Sequence, residues 1–368
     1  MLFCQREIDA LRLLCWCRYA NLDSLRRLIT ETEIRNLVTL GFVKEHPKSH
    51  AFVPTHKTVE LLQTAFDGAV PDVVRVYSPQ LIERRLRLAQ IATTFYWGGV
   101  NPFLLRKEEL LHPPSLFLPS MARGRGQNPW GSTRIAGIAH LGEQTFAVHY
   151  VCPGIGRLIL NNELVAFNNQ TAALHNTRRG FLFAGGSYAD ILAELDRPDT
   201  EDGNQAVNYA GAYRRLTLPV HLLPCDDIGA LQLRVMTQPN YRNRLAQAAL
   251  GRYFRPPPDD TSTFDACFNR TPVVIGVDMD LRRINAAMET AKKLGHPYII
   301  LAALTGQVQS GIFDGFRIPG QDNVLALRED VVLELVGHDG MGFPGDQPFW
   351  SKKGGALHAP VIQTHRKT

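Results

Sequence analysis

The stretch LVTLGFVKEHPKSHAFVPTHKTVELL, residues 37–62, decides how the first fifth of the chain is read. An apolar helix end meets Gly41, and two short extended runs, Phe42–Glu45 and Ala51–Val53, flank the polar turn His46–His50. Pro54-Thr55 then leads into a helical pattern carrying Val59, Leu61, Leu62 and Phe66. Glycine suits the position just past a helix because it enters the left-handed conformation without a Cβ penalty. Alternating runs around a polar turn predict a hairpin. Toward the N-terminus, Thr30 and Glu33 have the spacing of a capping box and open a helix that runs to Leu40. Leu22–Ile29 predicts a shorter helix, with Asn21 or Asp23 suited to cap it. Ile8, Leu11, Leu14 and Cys15 recur at helical spacing and predict a first helix over residues 5–17.

The order helix, helix, helix, hairpin, helix resembles the winged helix-turn-helix class. Leu37, Gly41, Phe42, Val43, Phe52, Val53, Thr55 and Lys57 occupy the positions where the third helix of that class passes into its wing and returns. The resemblance covers about the first 67 residues. It implies double-stranded DNA as partner, with the third helix in the major groove and the hairpin on the flanking backbone or minor groove. The expected base-reading residues are Thr32, Arg35, Asn36 and Thr39, since Arg clamps guanine and Asn adenine through paired hydrogen bonds. Lys44, Lys48, Ser49, His50 and Lys57, with Arg26 and Arg27 on the preceding helix, are the expected phosphate contacts. Glu31 and Glu33 repel a phosphate backbone if they face it. A winged-helix adaptor that docks protein is therefore one alternative.

At 368 residues the chain is too long for one small core, so two domains are expected. A composition 45% hydrophobic and 20% charged excludes a disordered chain. The net charge of +5 permits an anionic partner without requiring one. No apolar run reaches the roughly 18 residues that cross a bilayer, and the N-terminal helix mixes acid and base among its apolar residues. The expectation is a cytoplasmic protein without a membrane partner. Cys4, Cys15, Cys17, Cys152, Cys225 and Cys267 form no metal-ligand spacing and read as reduced, buried thiols.

Beyond the hairpin, residues 68–79 look like a linker. A helix follows from Pro79 to Thr94 with Arg84, Arg85 and Arg87 along it, and residues 98–134, including MARGRGQNPWGSTR, show few regular signals. Residues 78–135 carry eight Lys and Arg against three acids, whereas residues 1–77 carry ten against nine. The basic helix reads either as an inter-domain or dimer helix with a solvated face, or as a second phosphate surface continued by Arg123 and Arg125 in the RGRG loop. From residue 134 strands alternate with helices: Ile135–Ala139, Thr145–Val151, Gly180–Ala184, Thr217–Leu222, Ala230–Met236, Pro272–Val277 and Tyr298–Leu304 are the expected strands. That alternation argues one mixed, largely parallel sheet. The expected organisation is a winged helix over residues 1–75, a basic helix and irregular segment over 76–133, a mixed α/β-sheet domain over 134–337 and an irregular tail over 338–368. The fold class is α+β.

Three further features carry candidate chemistry. FAGGSYADIL, residues 183–192, is a strand-to-helix turn of the kind that cradles phosphate, yet it is neither GxGxxG nor GxxxxGK[ST], so a tight turn is the plainer reading. Asp278 and Asp280 in VIGVDMDLRR sit at the end of a strand, where two carboxylates can hold Mg²⁺, and the phrase resembles a haloacid-dehalogenase first motif. That motif opens its domain, whereas here only about ninety residues remain, so one Asp capping the next helix also accounts for it. A metal-dependent enzyme using Asp278 and Asp280 is the other alternative. His140, His149 and His175 share no ligand spacing, and no metal, cofactor or catalytic residue is assigned.

Taken whole, the chain resembles the replication-relaxation group of winged-helix proteins of plasmids and conjugative elements in Gram-positive bacteria. The carriers are the N-terminal unit (Arg6–Leu62), the basic helix (Leu81–Ile91) and RGFLFAGGSYADIL (Arg179–Leu192). The resemblance implies a non-enzymatic, sequence-specific DNA-binding protein, a regulator or a replication or transfer accessory factor of a mobile element, with a homodimer left open. The family's second domain is similar to restriction-endonuclease-like folds. A working nuclease of that kind needs an acid and then Glu-x-Lys on paired strands to hold metal. Here STRIAGIAHLGEQTFAVHYV, residues 132–151, has no Asp on the first strand and Val148-His149-Tyr150 on the second, so a degenerate, non-cleaving domain is expected.

Overall fold

The computed structural model describes residues 2–71, 78–122, 130–153, 158–174, 177–198, 201–202, 205–206, 208–257, 263–337, 349–353 and 356–358. Helices and mixed sheets together place the described residues in the mixed α/β class. The N-terminal unit comprises β1 (Leu2–Cys4), α1 (Gln5–Cys17), α2 (Leu22–Arg26), α3 (Glu31–Thr39), β2 (Val43–Glu45), β3 (Phe52–Pro54) and α4 (His56–Ala65). The expected caps are present. Asn21 accepts from the Ser24 amide at 2.9 Å, and Thr30 and Glu33 close their capping box with Thr30 N donating to Glu33 Oε2 at 2.7 Å. β2 and β3 pair antiparallel with Lys44 opposite Val53, and Ala20 adds a bridge to Phe52. Gly41 takes φ +73°, and its carbonyl accepts from Thr55 Oγ1 at 2.7 Å, which ties the helix end to the returning strand.

α5 (Pro79–Trp97) runs a turn beyond the expected Thr94. Tertiary contacts extend it: Phe95 is fully buried and the Trp97 indole donates to the Arg27 carbonyl. Next come β4 (Ser115–Phe117), α6 (Pro119–Ala122), β5 (Ile135–Leu141), β6 (Gln144–Tyr150), α7 (Leu160–Gln170), β7 (Arg178–Gly185), α8 (Tyr188–Leu195), β8 (Glu201–Asp202), β9 (Gln205–Ala206), α9 (Tyr209–Arg215) and β10 (Val220–Pro224). Five of these strands form a sheet in the order β10-β7-β6-β5-β4, parallel from β10 to β6 and antiparallel beyond.

The remaining elements are α10 (Asp227–Met236), α11 (Tyr241–Leu250), β11 (Ala266–Phe268), β12 (Thr271–Ile275), α12 (Leu281–Lys293), β13 (Ile300–Ala303), α13 (Thr305–Gln309), β14 (Val324–Ala326), α14 (Glu329–Val336), β15 (Phe349–Lys353) and β16 (Ala356–His358). The expected strand over Ala230–Met236 is helix. ALQLRVM alternates apolar and polar residues as a strand does, but Asp226 accepts from the Gly229 amide at 2.9 Å and caps a helix that packs on α5. The expected single sheet is two: β11-β12-β13-β14 form their own, with β12, β13 and β14 parallel. The sheets meet through shared apolar residues such as Leu222, Val274 and Leu301. A buried hydrogen-bonded chain also joins them, Gln307 donating to Tyr188 and to the Val277 carbonyl, and Tyr188 to Gln232. The tail is not wholly irregular either, since β15 pairs with β1 and with β16.

The N-terminal unit rests directly on α5. Asp9 is buried and receives bonds from the Tyr96 hydroxyl at 3.0 Å and from Arg12, whose guanidinium also reaches the Phe103 carbonyl at 2.5 Å. The Trp16 indole donates to the Leu104 carbonyl at 3.1 Å. Leu14, Trp16, Phe95, Phe103, Leu116 and Leu233 belong to one apolar cluster that runs from the first helix into the larger sheet. The expected boundary at 75/76 falls within residues 72–77, outside the described residues.

Candidate nucleic-acid interface

Thr32, Arg35, Asn36 and Thr39 lie three and four apart on α3, which places them on one helical face, and all four are exposed. The opposite face carries Ile34 and Leu37, both buried. Among the described residues Thr32, Asn36 and Thr39 make no side-chain hydrogen bond, and Arg35 bonds only Glu31, at 3.2 Å, with 77% of its side chain exposed. Both acids of this helix are occupied. Glu33 is folded back onto the Thr30 amide and hydroxyl, at 2.7 and 2.8 Å. Glu31 lies between Arg26 and Arg35, whose hydrogen bonds and charges hold its carboxyl below the usual range.

The hairpin beside α3 presents Lys44 and Lys48, exposed and without a side-chain partner among the described residues. His50, at φ +51° in the turn, bonds Glu45 at 2.7 Å, and Ser49 bonds His46 at 2.9 Å. Lys57 donates to the Leu40 carbonyl at 2.6 Å and stands 4.3 Å from the Phe42 ring centroid, so it covers the C-terminal end of α3. Arg26 is exposed and shared between Asp23 and Glu31. Arg27 turns inward, bonding Thr94 at 3.0 Å and Asp227 at 2.5 Å. Arg123 and Arg125 lie outside the described residues.

Arg84, Arg85 and Arg87 do not extend this surface as an open stripe; they are half-buried where α5 meets the larger sheet. Asp278 and Asp280 are both engaged by the protein. Asp278 is fully buried, with Oδ2 accepting from Tyr241 at 2.9 Å and from Arg242 at 3.0 Å, while Arg283 and His221 stand 3.8 and 3.9 Å away. Burial by itself raises its pKa, but the charges of Arg242, Arg283 and His221 and the Arg242 hydrogen bonds outweigh it and hold the carboxyl below its ordinary range. Asp280 caps α12, accepting from the Arg283 amide at 3.1 Å. Arg242 was not foreseen: it lies 36 residues before its partner, and no local spacing announces the pair.

The FAGGS turn is closed by its own contacts, Ser187 accepting from the Asp190 amide at 3.1 Å and bonding that residue's carboxylate at 2.8 Å. His140 bonds the Leu110 carbonyl at 2.7 Å, and His149 bonds Glu163 at 3.1 Å, both members of that pair buried. His175 lies outside the described residues, and among the described residues no three His, Cys, Asp or Glu are grouped to hold a metal. All six cysteines are free, and burial pushes the Cys15, Cys17 and Cys225 thiols up to about 12. No described helix is long and apolar enough to cross a membrane. Comparison of the chain with protein-family models, curated proteins and solved structures found no match.

Proposed function

We propose that the N-terminal unit is a winged helix that binds double-stranded DNA sequence-specifically, with α3 as the reading helix and the β2–β3 hairpin on the flanking backbone. The observation that carries this reading is the outer face of α3. It offers a guanidinium, an amide and two hydroxyls, all exposed, while both of its acids are folded into a cap or an ion-pair cluster. Lys44 and Lys48 supply phosphate contacts at the side. A role as a regulator or as a replication or transfer accessory factor rests on the family resemblance alone. The test is selection of bound sequences from a random duplex pool with the full chain. An enriched motif is expected, and its half-site symmetry distinguishes one bound chain from a homodimer; a pool that stays random excludes base reading.

Protein docking is the second reading, and one observation favours it: Val38 on the same helix and Leu40 at its C-cap are 38% and 39% exposed. Apolar side chains there also suit thymine methyl groups. DNA affinity that is absent, or does not fall with salt, selects docking over DNA.

A further inference from the structure

The cavity between α5 and the β5–β6 hairpin has a different character from the surface of α3. It encloses about 460 Å³, within the roughly 300–1,000 Å³ of small-molecule sites. Arg84, Arg85 and Arg87 line it from α5, Arg134 from the start of β5, and Tyr150 and Tyr209 from the sheet side. Tyr150 and Pro153 stand at the C-terminal end of β6, which runs parallel to β7, and ligand sites of α/β sheets lie outside the carboxyl ends of such strands.

Among the described residues four arginines line the recess; Arg87 is bonded to Glu83, and Arg84 donates to the Thr133 carbonyl at 3.2 Å. Guanidinium groups match phosphate oxygens two at a time, and several around one small cavity suit a ligand with more than one negative charge. Leu81, Leu88, Ile135 and Pro119 form an apolar part of the lining beside the tyrosine rings, and Arg87 lies 5.6 Å from the Tyr150 ring centroid. Tyr150 is itself fixed by its bond to Gln90 at 2.9 Å, and the Tyr209 hydroxyl by its bond to the Tyr150 carbonyl at 3.1 Å. The walls are therefore set before a ligand arrives. We infer that this recess binds a small organic phosphate with a planar apolar body, of the nucleoside phosphate class, with the arginines on the phosphate and the tyrosine side against the ring. The inference stands apart from the DNA reading of α3.

Titration calorimetry on the full chain with AMP, ATP, inorganic phosphate and adenosine as separate probes tests it. AMP or ATP is expected to bind at least tenfold more tightly than phosphate or adenosine. The double variant Arg84→Gln/Arg134→Gln is expected to lose tenfold or more in that affinity while still melting cooperatively. Leu81 is 48% exposed at the recess, so Leu81→Glu sets a negative charge there without touching the core and decides the matter if the arginine variant misfolds. Binding by none of the four probes overturns the proposal, as does nucleotide binding that neither variant weakens. Phosphate or adenosine alone binding as tightly as AMP also overturns it, because either the ring or the charge then plays no part.

Discussion

Glu31 and Glu33 are the residues that argue most directly against an anionic partner for α3, and the structure gives each of them an internal role. Half of this was legible beforehand. The Thr30–Glu33 spacing announces a capping box, whereas the partners of Glu31 depend on how α2 meets α3. Thr30→Ala is expected to cost about 1 kcal/mol in chemical denaturation, because the cap hydroxyl is lost while the bond from the residue-30 amide to Glu33 remains. Asp278 shows the opposite case: the motif left open a metal pair or a helix cap, Asp280 takes the cap, and the environment of Asp278 is set by Arg242 and Tyr241, whose approach no local pattern records. Arg242→Met removes the nearest counter-charge of a buried carboxylate, leaving Arg283 and His221 beside it, and should destabilise the fold by about 3 kcal/mol. The sign with pH follows from the depressed pKa. The pair contributes fully above about pH 4, and its contribution is lost as pH falls below that toward the depressed value. Acid titrations of stability should therefore fall more steeply below pH 4 for the wild type than for the variant; parallel curves refute the pair's role.

Among the elements, those defined by local signals were readable and those defined by distant partners were not. α1 begins and ends where residues 5–17 place it, because helical spacing specifies it within the segment. α10 lies outside that group: its alternation fits both periods, and only the Asp226 cap and the packing on α5 decide. At its first turn a Cβ on Gly229 would lie 1.8 Å from the Pro224 carbonyl oxygen, too close for any side chain. Gly229→Ala is expected to cost at least about 1–3 kcal/mol, measured by thermal or denaturant unfolding; a neutral result shows that the turn yields. The basic helix α5 and the hairpin should separate in salt dependence. Neutralising Lys44 and Lys48 is expected to reduce the slope of log affinity against log salt by about 0.9 per lost contact. Arg84→Gln and Arg87→Gln should leave that slope unchanged, since those side chains line a recess.

At the scale of the molecule, the alternation of strands and helices gives the mixed α/β class, but the division into two sheets and the pairing of β1 with β15 arise between segments far apart in sequence. The N-terminal unit shares its apolar cluster with α5 and the larger sheet, and its α1 is buried on nearly every side. The full chain is therefore expected to unfold without an early separate transition from this unit, and residues 1–71 alone to lack a cooperative melt; a stable, cooperatively melting fragment contradicts that. For the same reason the DNA reading is best tested in the whole protein. The most direct measurement is the affinity of Arg35→Ala/Asn36→Ala for the duplex that the wild type selects, taken at fixed salt with melting temperatures matched. The expected result is a loss on the order of 1–3 kcal/mol for each base contact removed, with weaker discrimination between that site and a scrambled duplex. Affinity and discrimination equal to the wild type would contradict the assignment of α3 as the reading helix.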